Sequence, residues 1–302
     1  MEVPALDSTI RKALDSNANA LAAKLQSDIA FYHGPIYHPA IRLYRDLIEG
    51  LGDGGTRDDA ISIFLTTDGG SVEVVEKLVE ITRHHYERVY FIVPEHAMSA
   101  GTIWCLSGDK ILMDYSSSLG PIDPQIMIQE RGQEHWVPAL GYLDQVERML
   151  AKSLAGTLTD AELTILQGLD LAQLRRYEQA RDLSVDLIHN WLAVYKFRDW
   201  KTHRTDPNKL DQPVTDEEKA ERAKEIAAQL GNNSLWHAHG RMIGMNTLRQ
   251  RLRLEIDDFG ADKELSHEIR VYSDVVSDYA SRMRYPIFLH GASRLGEKGE
   301  TR

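Results

Sequence analysis

Two turns, each placed between an apolar run and a helical pattern, constrain this sequence more than any other feature. The first turn, TTDGGS at 66–71, follows the apolar run 61–65, and the second, AMSAG at 97–101, follows the run 89–93. Apolar residues continue at helical spacing after each turn. Two successive strand-turn-helix units predict an α/β fold with a parallel sheet, and the carboxyl ends of parallel strands bring both turns to one edge.

The residues of these two turns are typical of an acyl-transfer site. Ser99 opens the second helix, so it is the candidate nucleophile. The backbone N–H groups of Gly70 and Ala100, with Gly69 in the same glycine pair, are the candidate oxyanion hole. The alternatives are a helix N-cap for the serine and a plain tight turn for the glycine pair.

The order of these motifs, continued by LGPIDP at 119–124, resembles the Clp-protease and signal-peptide-peptidase superfamily. Within it, the serine dehydrogenase proteinase family is the most similar branch. The resemblance is clear from Asp28 to Gln125 and weaker from there to Gly260. It implies an α/β fold of repeated ββα units with a parallel sheet, as in Clp proteases and crotonases, followed by a helical C-terminal part. It also implies a serine peptidase that acts on peptides or unfolded proteins, as a homo-oligomer.

The general base is the part of the family pattern that this chain does not reproduce directly. The position at which Clp proteases carry their histidine is Asp123 here. Signal peptide peptidases use a lysine on a later helix instead, which points to Lys152, 53 residues after Ser99 (152 − 99). A lysine acts as a base only where burial favours the neutral amine, and the apolar neighbours of Lys152 make burial expected. The alternative interpretation is an ordinary solvated lysine.

Composition excludes several classes of function. A net charge of −11 disfavours binding to nucleic acid or to an anionic membrane. The single cysteine, Cys105, excludes an internal disulfide and a cysteine-rich zinc site. His237 and His239 lack the partners of a known metal motif, and no Walker or dinucleotide motif is present, so neither metal nor cofactor is expected. No membrane span and no signal core are found, so a cytoplasmic protein is expected.

The rest of the chain is organised around this unit. Residues 1–26 form an amphipathic helix that packs on the sheet or on a sister subunit, residues 27–290 form the protease-like domain, and residues 291–302 are a disordered tail. Thr159 and Thr215 each open a helix with a glutamate three residues on, as in a capping box. The long helical region 159–201 is expected to break at Gly168, and 133–140 is ambiguous.

Two other functions fit the same fold. A crotonase-like acyl-CoA enzyme would use paired backbone N–H groups around a thioester oxygen and would leave Ser99 without a role. A non-catalytic scaffold is favoured by the missing histidine alone. A thermal shift with coenzyme A esters would favour the acyl-CoA enzyme, and an acyl adduct on Ser99 would distinguish the peptidase from the scaffold.

Overall fold

The computed structural model describes residues 5–51, 58–122, 125–130, 133–204 and 207–294 of the 302. The helices are α1 (Ala5–Leu25), α2 (Ala40–Gly50), α3 (Val72–His85), α4 (Ala100–Cys105), α5 (Ala139–Leu154), α6 (Asp160–Gln167), α7 (Leu171–Trp191), α8 (Asp216–Leu230), α9 (Asn233–Trp236), α10 (Met245–Arg251) and α11 (Lys263–Met283). The strands are β1 (Asp28–His33), β2 (Ala60–Thr66), β3 (Arg88–Ile92), β4 (His96–Ala97), β5 (Lys110–Met113), β6 (Ser118–Leu119), β7 (Gln125–Glu130), β8 (Gln133–Pro138), β9 (Ile243–Gly244), β10 (Asp257–Asp258) and β11 (Phe288–Ala292).

The main sheet has six strands in the order β10-β5-β3-β2-β1-β11. All of its neighbours are parallel except β11, which pairs with β1 in the antiparallel sense. The parallel strands β1, β2 and β3 therefore end at the same edge, where the two conspicuous turns begin. This confirms the predicted α/β fold with a parallel sheet and a helical C-terminal part.

A second, smaller sheet lies beyond that edge. Strand β4 pairs with β6 in parallel, and β6 pairs with β9 in the antiparallel sense. Two single bridges, Ile36 with Gly70 and Thr67 with Ala97, continue the same pattern. Each unit thus runs from a strand of the main sheet through a short bridging strand into a helix, which is the predicted ββα repeat.

The two faces of the sheet are covered by different helices. Alternate strand residues such as Tyr32 and Ile63 pack against α2, α3 and α4, with α7 and α8 beyond. Those of opposite parity, including Phe31 and Phe64, pack against α1 and α11. Trp104 of α4 is fully buried and makes edge contacts with Tyr32. The layering fixes α4, and with it the turn that precedes it, on a rigid core.

Helix α1 confirms the predicted N-terminal amphipathic helix over its described part. Leu14, Leu21 and Ala22 from its apolar stripe are buried against α11 and the sheet. The predicted capping boxes at Thr159 and Thr215 are both formed. The long helical region breaks at Gly168, which is the C-cap of α6. The division of the chain into domains remains a prediction.

One prediction needs correction, and one stretch that the sequence left ambiguous is now assigned. The tail was expected from residue 291, but β11 runs to Ala292, and the backbone N–H of Arg294 donates to Asp28 at 2.8 Å. The pairing of β11 with β1 extends the sheet, and local sequence patterns do not reveal such a pairing. Residues 295–302 lie outside the described part of the chain. The ambiguous stretch 133–140 holds β8, which forms a hairpin with β7 and leads into α5. Among the described residues, no helix combines the length and the apolar character needed to cross a membrane.

Candidate active site

The two turns pack directly against each other. A Cβ built on Gly69 would lie 2.9 Å from the Cβ of Ser99 and 3.3 Å from the backbone nitrogen of Ala100. Gly69 has φ +107°, a conformation that residues with side chains rarely adopt. Position 69 therefore requires glycine for two reasons, the backbone conformation and the close approach of Ser99. The structure brings together all four predicted residues of the two turns.

Gly70 is fixed by the chain that follows β1. The N–H of Ile36 donates to the carbonyl of Gly69 at 2.8 Å, and the N–H of Ser71 donates to the carbonyl of Ile36 at 2.9 Å. In this parallel bridge the N–H of Gly70 points away from Ile36. A Cβ on Gly70 would lie 1.9 Å from the Ile36 carbonyl oxygen, so only glycine fits.

Two backbone donors are left available at this place. Among the hydrogen bonds of the described residues, none is donated by the N–H of Gly70 or by the N–H of Ala100. Ala100 is the first residue of α4, so its N–H has no acceptor within the helix. Both groups are available to a ligand oxygen, as an oxyanion hole requires.

Ser99 adopts a strained backbone conformation, with φ +52° and ψ −115°. It occupies the N-cap position of α4, but its hydroxyl makes no capping hydrogen bond. Ser71 behaves differently: at the N-cap of α3 its hydroxyl accepts from the N–H of Val74 at 3.2 Å. The Ser71 hydroxyl therefore acts as an N-cap, whereas Ser99 is half-exposed and its hydroxyl makes no hydrogen bond among the described residues.

A buried threonine holds the serine turn in place, a role that the sequence patterns did not indicate. The Thr102 hydroxyl donates to the carbonyl of Ala97 at 2.8 Å and accepts from the N–H of Gly120 at 2.9 Å. A Cβ on Gly120 would lie 3.1 Å from the backbone nitrogen of Ser99. The segment 119–122 of the family motif thus packs behind the serine, while Asp123 lies outside the described residues.

The prediction for Gly69 as an oxyanion donor is corrected. Its N–H donates to the Thr67 hydroxyl at 3.0 Å, because the turn folds back on the end of β2. Gly69 therefore contributes close packing against Ser99, and its N–H group is occupied. The available donors are those of Gly70 and Ala100.

Lys152 lies apart from these turns. It sits near the end of α5, which packs on α6 and α7, and its ammonium forms an ion pair with Glu162. The hydrogen bond from Lys152 lowers the pKa of Glu162 to about 2. The Lys152 side chain is 42% exposed. The structure does not bring Lys152 to Ser99, and no hydrogen bond of the Ser99 hydroxyl occurs among the described residues.

Two other basic side chains, those of His96 and Lys196, have defined surroundings in the structure. His96 forms a hydrogen bond with Asp68, with 3.1 Å between Nε2 and Oδ1, and no contact of its ring with Ser99 occurs among the described residues. Lys196 lines a cavity of about 1320 Å³, and its Nζ atom lies 3.5 Å from the carbonyl oxygen of Asp109. Burial lowers the pKa of Lys196 to about 8. Because Asp109 precedes β5, this cavity is at the amino-terminal edge of the parallel sheet, opposite Ser99.

The two histidines of the pair near the C-terminal part differ in exposure. His237 is exposed, while His239 is half-buried and its Nδ1 atom has no hydrogen-bond partner among the described residues. In the part of the chain that the structure describes, no three His, Cys, Asp or Glu side chains are grouped so that they could hold a metal ion.

Several known proteins are similar to parts of this chain. Two uncharacterized proteins of Methanocaldococcus jannaschii, MJ0137 and MJ1495, are 39% identical over 70 residues and 35% identical over 69 residues. Each match covers 23% of this chain, and the chain spans about a quarter (24%) of the length of these curated relatives.

Two proteins of known structure are similar to this chain in part of their length. A membrane-bound stomatin-specific protease, 1510-N, is similar in two variants, one of them in complex with a substrate peptide. Their sequence identities are 23% and 24%, they cover 42% and 39% of this chain and 61% and 55% of their own, and both TM-scores are 0.32. ClpP1 from Listeria monocytogenes is 12% identical, with 82% of this chain and 93% of its own covered and a TM-score of 0.40.

The family profile described as ClpP-like SDH-type serine proteinase matches residues 11–190, more than half of the chain. The matched segment contains both turns, the serine and the helix α5. This chain therefore belongs to the family of ClpP-like SDH-type serine proteinases.

Proposed function

We propose that this chain hydrolyses peptide bonds through an acyl-enzyme formed on Ser99. The observation that carries the proposal is the uncommitted Ser99 hydroxyl on a strained strand-to-helix turn, beside the unpaired N–H groups of Gly70 and Ala100. A nucleophile beside two preorganised donors is the arrangement that acyl transfer needs. Membership in a serine proteinase family supports the same reaction.

In the proposed reaction the Ser99 oxygen attacks the carbonyl carbon of the scissile peptide bond. The Ser99 proton passes to a general base, and the carbonyl oxygen becomes an oxyanion that the N–H groups of Gly70 and Ala100 stabilise. Removal of one such donor typically costs about 2.7–4 kcal/mol of transition-state stabilisation. The base then protonates the departing amine, and water hydrolyses the ester on Ser99.

The proposed base is Lys152, which must first leave Glu162. An ion pair with a carboxylate favours the charged ammonium, whereas a base must be neutral. The helix that carries Lys152 has room for a further contact, because Leu150 is 51% exposed and Leu154 is 92% exposed. In the proposed active form, a homo-oligomer covers this apolar surface and brings the lysine to the serine. The proposed substrates are peptides or unfolded segments of proteins.

Phosphonylation by a fluorophosphonate probe, followed by intact-mass measurement, tests the nucleophile. The wild-type protein should gain one adduct, with a P–O bond formed at Ser99 as fluoride leaves. Ser99→Ala should gain none and should no longer cleave a peptide library. The control is Ser266→Ala, which changes a serine on α11, on the opposite face of the sheet, and should leave labelling unchanged.

A folded Ser99→Ala protein that is labelled or that cleaves peptides at the wild-type rate would contradict the proposal. Absence of an adduct in the wild type, together with stabilisation by coenzyme A thioesters in a thermal-shift experiment, would favour the acyl-CoA enzyme instead. Neither an adduct nor stabilisation would favour a scaffold.

A further inference from the structure

A cavity of about 410 Å³ opens at the carboxyl edge of the sheet, on the face covered by α11. Its floor is the last residue pair of β1 and β2, His33 and Thr66, which are register partners in the parallel ladder. They continue the row of Phe31 and Phe64, which pack against Tyr272 of α11. The row thus changes from aromatic to polar where the sheet ends.

Two polar atoms of this floor have no hydrogen-bond partner in the described part of the chain. The Thr66 side chain is 97% buried, since its exposed fraction is 3%, and its hydroxyl has no hydrogen-bond partner among the described residues. The Nδ1 atom of His33 also has no hydrogen-bond partner among the described residues. Burial lowers the pKa of His33, so the imidazole is neutral at pH 7 and Nδ1 can accept a hydrogen bond when the proton is on Nε2. Buried polar atoms without partners are rare and point to a bound group.

The wall and rim of the cavity are acidic. Glu95 accepts a hydrogen bond from Ser277 at 3.4 Å, Asp68 pairs with His96, and Asp278 projects from α11 beside Ser277. Three carboxylates and two histidines line the cavity, and no lysine or arginine of the described residues is among its lining. The field at this place therefore favours a cation.

We propose that this cavity binds a primary ammonium group of the peptide substrate, either a lysine side chain or a free amino terminus. An ammonium brings three donors and no acceptor, which matches the unpartnered Thr66 hydroxyl, the His33 Nδ1 and a carboxylate at the rim. A metal ion would need several ligands grouped around one point, and the described residues offer no such group of three. The cavity has room for one side chain.

The cavity adjoins the proposed catalytic turns. Its lining includes Thr67 and Asp68, the residues that lead into Gly69, and Gly69 contacts Ser99. An ammonium held here would anchor the substrate within a few residues of the bond that Ser99 attacks. This inference rests on the proposed function and adds the substrate class, peptides with an amine close to the cleaved bond.

The test measures binding to Ser99→Ala, so that it does not depend on turnover, by isothermal titration in buffer that contains EDTA. One peptide is prepared with a lysine and an acetylated amino terminus, one with a free amino terminus and no lysine, and one with both amines acetylated. We expect one of the amine peptides, or both, to bind about tenfold more tightly than the blocked peptide, as a half-buried charge contact allows. The two amine peptides separate the two sources of the ammonium.

Two variants locate the site. Thr66→Val removes the unpartnered hydroxyl at nearly constant shape, so it should weaken binding of the amine peptide severalfold without lowering the free energy of unfolding. Glu95→Gln/Asp278→Asn should abolish the preference for the amine. The matched control Glu87→Gln/Asp274→Asn removes the same charges from exposed positions outside the cavity and should retain the preference.

Equal affinity for the blocked and amine peptides, or no binding of any peptide at millimolar concentration, would overturn the inference. So would an equal loss in the control double variant, or binding that Thr66→Val leaves unchanged. If the amine preference holds while the wild-type serine gains no adduct, the proposed chemistry fails and the ammonium site stands. If Ser99 gains an adduct but the amine preference is absent, the ammonium site fails and the proposed chemistry stands.

Discussion

At the scale of one residue, Lys152 has two roles to compare, a structural ion pair and the proposed general base. Its ion pair with Glu162 joins α5 to the capping box of α6, since Glu162 also accepts from the N–H of Thr159 at 3.0 Å. A structural lysine needs its charge, while a general base needs to lose it. The two roles therefore predict different results for replacement by arginine.

Lys152→Arg keeps a permanent positive charge that can still pair with Glu162 but cannot accept a proton. If Lys152 is the base, Lys152→Arg and Lys152→Ala should both lose about 100-fold or more in kcat/KM, the contribution typical of general base catalysis. Peptide hydrolysis and circular dichroism measure activity and fold. Activity retained in folded Lys152→Ala would place the base elsewhere, and His239 would be changed next.

At the scale of elements, α5 has an apolar stripe that the described part of its own chain leaves partly exposed. Leu143 is buried against Tyr177 of α7 and Val146 is also buried, but Leu150 and Leu154, toward the end of the same helix, are 51% and 92% exposed. Helix α1, by contrast, has its stripe covered by α11. The apolar surface that we expect a partner subunit to cover is therefore on α5, and not on the N-terminal helix where the sequence suggested it.

Leu154→Glu should weaken the proposed homo-oligomer, because it places a charge on an apolar surface that association would bury. The leucine is 92% exposed, so the free energy of unfolding of the single chain should change by less than about 0.5 kcal/mol. Light scattering and urea unfolding measure the two quantities. Leu210→Glu, at a leucine that is 56% exposed and away from α5, is the control. A wild type that stays monomeric at micromolar concentration would contradict the proposal.

At the scale of the whole molecule, half-buried histidines couple stability to pH. Burial lowers the pKa of His33, His239 and His290 below the ordinary value of 6.5. The unfolded chain then binds protons at a pH where the folded chain does not. The stability that these neutral rings contribute is present above about pH 6.5 and is lost as the pH falls through that value toward the lowered values.

The free energy of unfolding should therefore fall between about pH 7 and about pH 5, before most carboxylates titrate. Glu162 and Glu218, whose pKa values are lowered to about 2 by Lys152 and Lys209, add a second loss only below about pH 4.5. Urea unfolding at a series of pH values measures both. His290→Gln should flatten the first part of the curve, and a wild-type curve already flat above about pH 5 would contradict the assignment.

Local patterns in the sequence determined the elements and the order in which they occur. Apolar runs, helical spacing and two capping boxes gave the strands β1, β2, β3 and β5 and most helices, because these signals depend on neighbours within a turn or two. The two turns gave the candidate serine and donors for the same reason. The parallel sheet followed from strands that alternate with helices.

Tertiary structure alone decided which groups meet. The contact of Gly69 with Ser99, the use of the Gly69 N–H by Thr67 and the unpaired N–H of Gly70 depend on how separate strands are aligned. The pairing of β11 with β1 and the position of Lys152 also depend on segments far apart in the chain. Sequence spacing fixes what lies along one helix or strand, whereas distances between elements depend on how the whole core packs.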